Sequence, residues 1–192
     1  MPLVLASASP RRAELLRNAG IAFIVEPAHV PEQPFPDELP LQYAQRLARE
    51  KAQVISAKHP DNVVLAADTI VVAEAHLLEK PLDPADVVRM LRLLSGRSHQ
   101  VITGVCLVAQ QLQETQAEIT EVHFGALSDD EIAAYIATGE PMDKAGAYAI
   151  QGIASRWVQR IDGCYFNVVG LPVPRVYRML RKLEVTTGVA LL

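Results

Sequence analysis

Ser7, Ser9, Arg11 and Arg12 put two hydroxyls and two guanidinium groups into six residues, Ser7-Ala8-Ser9-Pro10-Arg11-Arg12. The apolar run Leu3-Val4-Leu5-Ala6 before them reads as a buried strand. Ser9 suits the N-cap of a helix, Pro10 its first position, and Ala13-Glu14-Leu15-Leu16 its continuation. Two cations in a first helical turn oppose the helix dipole. They make sense where an anion rests against free backbone N–H groups and serine hydroxyls. The plainer alternative is a pair of solvated arginines on an exposed helix end.

Two more residues stand out against apolar surroundings. Over 41–58, Leu41, Ala44, Leu47, Ala48, Ala52, Val54 and Ile55 form one arc at about 100° per residue, and Lys51 lies about 20° from its middle. Gln42, Gln45, Arg46, Arg49 and Gln53 take the opposite, solvent-facing side. Lys51 either snorkels to an edge or points inward to a partner; its central position favours the second. Asp68 interrupts Val63-Val64-Leu65-Ala66-Ala67-Asp68-Thr69-Ile70-Val71-Val72, a run typical of a central strand. It is either a turn residue or an inward carboxylate able to bind metal or activate water, with cations close by to offset its burial. Lys80, before Pro81, and Glu32, on a proline-rich loop, read locally as solvated. Gln151, between Ile150 and Gly152, has an amide suited to reading a base or sugar edge.

Elements able to position these residues follow in order. Gly20 stops the first helix and 21–25 is a second strand. Pro27, Pro31, Pro34, Pro36 and Pro40 keep the next connection free of regular structure. Asp83, Pro84 and Asp86 open a helix that Gly96 closes. Strands over 99–109 and 114–124 pair as an antiparallel ribbon, with Gly104 marking a close backbone approach. Ser128 and Glu131 form a capping box for a helix ending at Gly139. Asp162-Gly163 is the strongest hairpin signal, flanked by strands over 156–161 and 164–169. A last helix covers 172–183, and the tail 185–192 is ambiguous.

Bulk properties narrow the class. The 192 residues are half hydrophobic and carry a net charge of −4, which fits a folded protein and argues against a general nucleic-acid binder. Cys106 and Cys164 lack metal-type spacing and read as reduced thiols of a cytoplasmic protein. The opening is not expected to act as a signal peptide, because its cations follow the apolar run. No segment has membrane-spanning length.

Ser7-Ala8-Ser9-Pro10-Arg11-Arg12, Arg49-Glu50-Lys51-Ala52, Ala67-Asp68-Thr69, Glu79-Lys80-Pro81, Asp143-Lys144-Ala145-Gly146-Ala147-Tyr148 and Ile150-Gln151-Gly152 together resemble the Maf family of nucleoside triphosphate pyrophosphatases. Their order and intervals match across nearly the whole chain. The resemblance implies a single domain over 1–192, with an elongated α/β fold, a mixed sheet flanked by helices, and two lobes around a central cleft. It implies hydrolysis of a nucleoside triphosphate to the monophosphate and pyrophosphate with a divalent metal, Mg²⁺ or Mn²⁺, and commonly a homodimer. The Ala-Tyr-Ala-Ile-Gln-Gly ending is similar to the branch acting on dTTP and UTP. Ala8 replaces the usual glycine, and Glu79 stands where many members have glycine before the Lys-Pro pair.

By the same resemblance Asp68 is the proton acceptor, and Arg11, Thr69 and Gln151 select the base. Ser7, Arg12, Lys51 and Lys80 contact phosphates, and Glu32, with Asp68, serves through metal. Four cations could then offset charge growing on the leaving pyrophosphate. In-line attack at the α-phosphorus, with Asp68 as base, is the mechanism expected. The rivals are a nucleotide-binding regulator of cell division without significant catalysis, and a house-cleaning pyrophosphatase for another nucleotide. A P-loop NTPase is disfavoured because no Gly-x-x-x-x-Gly-Lys-Ser/Thr segment occurs.

Overall fold

The computed structural model of the chain describes residues 2–188. It is a mixed α/β protein. The chain divides into two compact units, one formed by the residues up to Asp68, Thr103–Glu118 and those from Gly170 on, the other by Thr69–Ile102 and Ile119–Val169.

In the first unit, β1 (Leu3–Leu5) pairs in parallel with β2 (Phe23–Val25) and with β3 (Val63–Ala73). Parallel neighbours need crossovers, and α1 (Pro10–Asn18) and α2 (Pro40–Ser56) lie on the two connections. The core joins Val4 on β1, Ala6 just after it, Ala48, Ala52 and Ile55 of α2, and Val64 and Ala66 of β3 to Cys106 and Val108. The last two belong to β5 (Ser98–Ala109). Its Gly104 lies so close to α2 that a Cβ there would come within 2.2 Å of the Ala44 carbonyl oxygen. The expected close approach is therefore a strand backbone against a helix backbone. The proline-rich connection carries no helix or strand before Pro40.

The second unit holds the end of β3, β4 (His76–Leu78) antiparallel to it, and α3 (Pro84–Leu94). Asp83 caps α3 by accepting from the Asp86 N–H at 2.8 Å. β6 (Leu112–Phe124) follows β5 after two residues, a link only antiparallel strands can use. α4 (Asp129–Ala137) starts with the expected Ser128–Glu131 capping box. β7 (Val158–Asp162) pairs antiparallel with β6, giving the strand order β2-β1-β3-β5-β6-β7, with β4 on β3.

Several expectations need correction. The segment 164–169 is not the second arm of a hairpin: α5 (Tyr165–Val169) forms there. Strand β7 already has its partner in β6, through Glu121 opposite Asp162. Asn167, buried on α5, donates to the Val101 carbonyl and to Thr120 Oγ1, both at 2.9 Å, so the segment is held by a side chain instead of a ladder. Leu41 and Val54, placed in the buried arc of α2, are exposed, whereas Arg46, placed in solvent, is buried. Ser9 occupies the N-cap of α1, but its side chain makes no cap bond. The last helix, α6 (Val173–Thr187), extends past 183 to Gly188 at φ +71°. The remainder of the ambiguous tail, 189–192, lies outside the described residues.

Candidate active site

In the first unit the turn after β1 bends back on itself through Ser7, whose side chain is buried. Its Oγ accepts from the Ser9 N–H at 3.2 Å and from Arg12 Nη1 at 3.1 Å. Arg12 Nε donates to the Gly170 carbonyl at 2.8 Å, so residues 158 positions apart fix one guanidinium. Burial pulls Arg12 below its ordinary pKa, with Asp68 and Glu32 acting the other way and Arg11 adding to the fall. An arginine starts high enough to stay charged. The organising hydroxyl is thus Ser7, and Arg12 is turned inward. Arg11 beside it is half-exposed at the start of α1.

Lys51 projects from the buried face of α2, where the helical arc placed it. Its Nζ sits 2.6 Å from Asp68 Oδ1 and 2.6 Å from Glu32 Oε1. Lys51 and Asp68 are 7% and 8% exposed, while the Glu32 side chain is 46% exposed. Burial raises the Asp68 carboxyl above its ordinary value, and Lys51 and then Arg12 oppose that rise. Asp68 lies mid-strand on β3, which removes the turn-residue alternative. Glu32, unremarkable in its own stretch of sequence, reaches the same ammonium as Asp68 because the proline-rich connection returns to α2.

Ser7, Arg12, Glu32, Lys51 and Asp68 therefore come together within one unit, two carboxylates and two cations among them. Such a set can hold an anion through Arg12 and Lys51 and place a carboxylate beside it. Among the described residues no group of three or more His, Cys, Asp or Glu side chains is arranged to hold a metal. Glu32 and Asp68 nevertheless converge on one cation, and two carboxylates with substrate phosphates are an ordinary Mg²⁺ environment. The donor set fits that metal.

Thr69, Lys80 and Gln151 belong to the second unit. Thr69 is half-buried on β3; Lys80 and Gln151 are exposed. The backbone beside Lys80 is tied to the 143–152 loop, since the Gly146 N–H donates to the Glu79 carbonyl at 3.2 Å. Gly146, at φ +69°, packs so tightly on Val71 that a Cβ would lie 3.0 Å from its methyl groups. Two side chains absent from the sequence-based site hold the loop around Gln151. Tyr148 hydroxyl meets His99 Nε2 at 2.7 Å in the core. Glu140 accepts from the Ile153 N–H at 3.1 Å and from the Tyr135 hydroxyl at 3.0 Å. Nothing local in sequence flags either contact, because the partners are 49 and 13 residues apart.

A family description, "Maf-like protein", matches residues 2–183. The chain is 62% identical over 185 residues to a dTTP/UTP pyrophosphatase of Koribacter versatilis (strain Ellin345), covering 96% of both chains. It is 53% identical to one from Syntrophomonas wolfei subsp. wolfei, covering 93% of this chain and 95% of the relative. A Bacillus pumilus (strain SAFR-032) relative of the same name is 46% identical, with 96% and 97% covered.

Proposed function

This chain belongs to the Maf-like protein family, and on that footing we propose that it hydrolyses dTTP and UTP to the monophosphate and pyrophosphate. The observation that carries the proposal is Asp68, a buried carboxylate paired with Lys51 and set beside Arg12. Burial raises the proton affinity of this carboxylate, which suits it to take a proton from attacking water, a task that a protein built only to hold a nucleotide does not have.

Arg12 and Lys51 bind the polyphosphate, with Ser7 fixing the Arg12 fork; Lys80 is assigned the same task. Arg11, Thr69 and Gln151 read the base. Glu32 and Asp68 would hold a divalent cation, Mg²⁺ or Mn²⁺, which supplies charge neutralisation and polarises phosphoryl oxygens. Substrate phosphates compete with the carboxylates for Lys51, leaving Asp68 able to accept a proton. Water attacks the α-phosphorus in line, its proton passes to Asp68, and the bond from that phosphorus to the bridging oxygen breaks. The electron pair leaves with pyrophosphate, whose charge Arg12 and Lys51 offset. We also take the chain as a single domain acting in the cytoplasm as a homodimer; sedimentation velocity reads the dimer directly.

Hydrolysis in ¹⁸O-water tests the reaction. Label in the monophosphate, with unlabelled pyrophosphate released, is the expected result. Label in pyrophosphate, or saturable dTTP binding without turnover in Mg²⁺ and Mn²⁺, overturns it; the second outcome would support a nucleotide sensor.

A further inference from the structure

The geometry points to Arg46 as the residue that positions Glu32, an inference resting on Glu32 taking part in the reaction as proposed above. Arg46 precedes Lys51 on α2 and is gripped from every side. Its Nε and Nη2 donate to the two oxygens of Glu38 at 2.6 and 2.7 Å, a two-pronged contact. Nη1 donates to Glu50 at 3.1 Å, and Nη2 also to the Gln33 carbonyl at 2.9 Å. The guanidinium lies 3.9 Å over the Phe35 ring, and the Phe35 N–H donates to Glu38 at 3.0 Å.

Every one of these loop contacts falls on Gln33–Glu38, and the pinned carbonyl belongs to the residue next to Glu32. The connection has no helix or strand of its own, and Glu32 is too exposed for packing to fix its direction. Pro31 and Pro34 restrict the backbone around it, so holding Gln33 holds Glu32. One helix thus grips the loop twice: Lys51 takes the Glu32 carboxylate, and Arg46 takes the backbone and carboxylate that follow. Lysine cannot replace Arg46, because a point charge lacks the planar fork that spans Glu38 and Gln33 together. Arg46 is a positioning residue; it acts through Glu32.

The test is a double-mutant cycle on full-length protein, with dTTP and Mg²⁺, using Glu32→Gln, Arg46→Ala, Arg46→Lys and Arg46→Ala/Glu32→Gln. Arg46→Ala is expected to lower kcat on the order of 10²-fold. Arg46→Lys recovers little, and preference for dTTP over dCTP does not change. In the Glu32→Gln background, Arg46→Ala lowers kcat by less than about 3-fold more. Amide exchange speeds up over 31–38 and not over β3. Should Arg46→Ala fail to fold, Glu38→Gln breaks the same two-pronged contact and carries the same expectations. Equal losses in both backgrounds, unchanged exchange over 31–38, or wild-type kcat in both Arg46→Ala and Glu38→Gln overturn the inference. Where Glu32→Gln loses turnover and Arg46→Ala does not, only the positioning role falls. Where Glu32→Gln keeps wild-type turnover, the role of Glu32 falls and the positioning role with it.

Discussion

Lys51 decides how the charges of the first unit balance. Two carboxylates lie 2.6 Å from its nitrogen, and removing it leaves Asp68 buried beside Glu32 without that partner. Lys51→Met keeps the length and apolar stem, so a merely snorkelling lysine would tolerate it. The expected outcome is a loss of about 3 kcal/mol in urea unfolding, from breaking a buried pair, together with a large fall in kcat/KM. His99 offers a second, independent test. Burial holds it well below its ordinary value, at about 4, and it is 3% exposed. Neutral His99 favours the folded state above pH 6.5, and that stability drains away as pH falls from 6.5 toward 4, because the unfolded chain takes up the proton first. The full effect is about 3 kcal/mol. Unfolding free energies of wild type and His99→Gln should therefore converge on acidification from pH 7 to 5. Lys51 and Asp68 were legible in the sequence, since each is a charge inside an apolar pattern of known period. Glu32 was legible only through family resemblance, because a half-exposed loop carboxylate breaks no pattern.

Among elements, α2 and β5 approach backbone to backbone. With Gly104 facing the Ala44 carbonyl, Gly104→Ala requires one backbone to move. A cost of about 3 kcal/mol, read by urea unfolding, is the expected outcome; an unchanged midpoint would mean the two elements do not pack as described. Caps and glycines marked most helix ends correctly, because those signals are local: Asp83 with Asp86, Ser128 with Glu131, Gly20 at φ +73°. The error at 164–169 has the opposite cause. Asp162-Gly163 favours a turn, but whether a strand follows depends on a free neighbour, and Gly163 sits at φ +131° against Thr120 instead. Arg46 was misplaced for a related reason. Helical periodicity places a residue relative to its own helix, whereas the loop that covers Arg46 has no period to read.

At the scale of the whole molecule, the site is an assembly of distant segments. The first unit takes three separate stretches of chain, and Arg12 finds its acceptor in Gly170. Sequence patterns report neighbours within a turn or a strand, so this convergence could be anticipated from the order and spacing of family motifs and not from any one of them. The central claim is that this convergence serves a water-activating carboxylate. Its most direct test is the steady-state release of pyrophosphate from dTTP with Mg²⁺, comparing wild type with Asp68→Asn at matched folded concentration. The account predicts steady pyrophosphate release by the wild type and a fall of orders of magnitude in kcat for the variant, with its fold retained. Near-wild-type turnover by Asp68→Asn would contradict it.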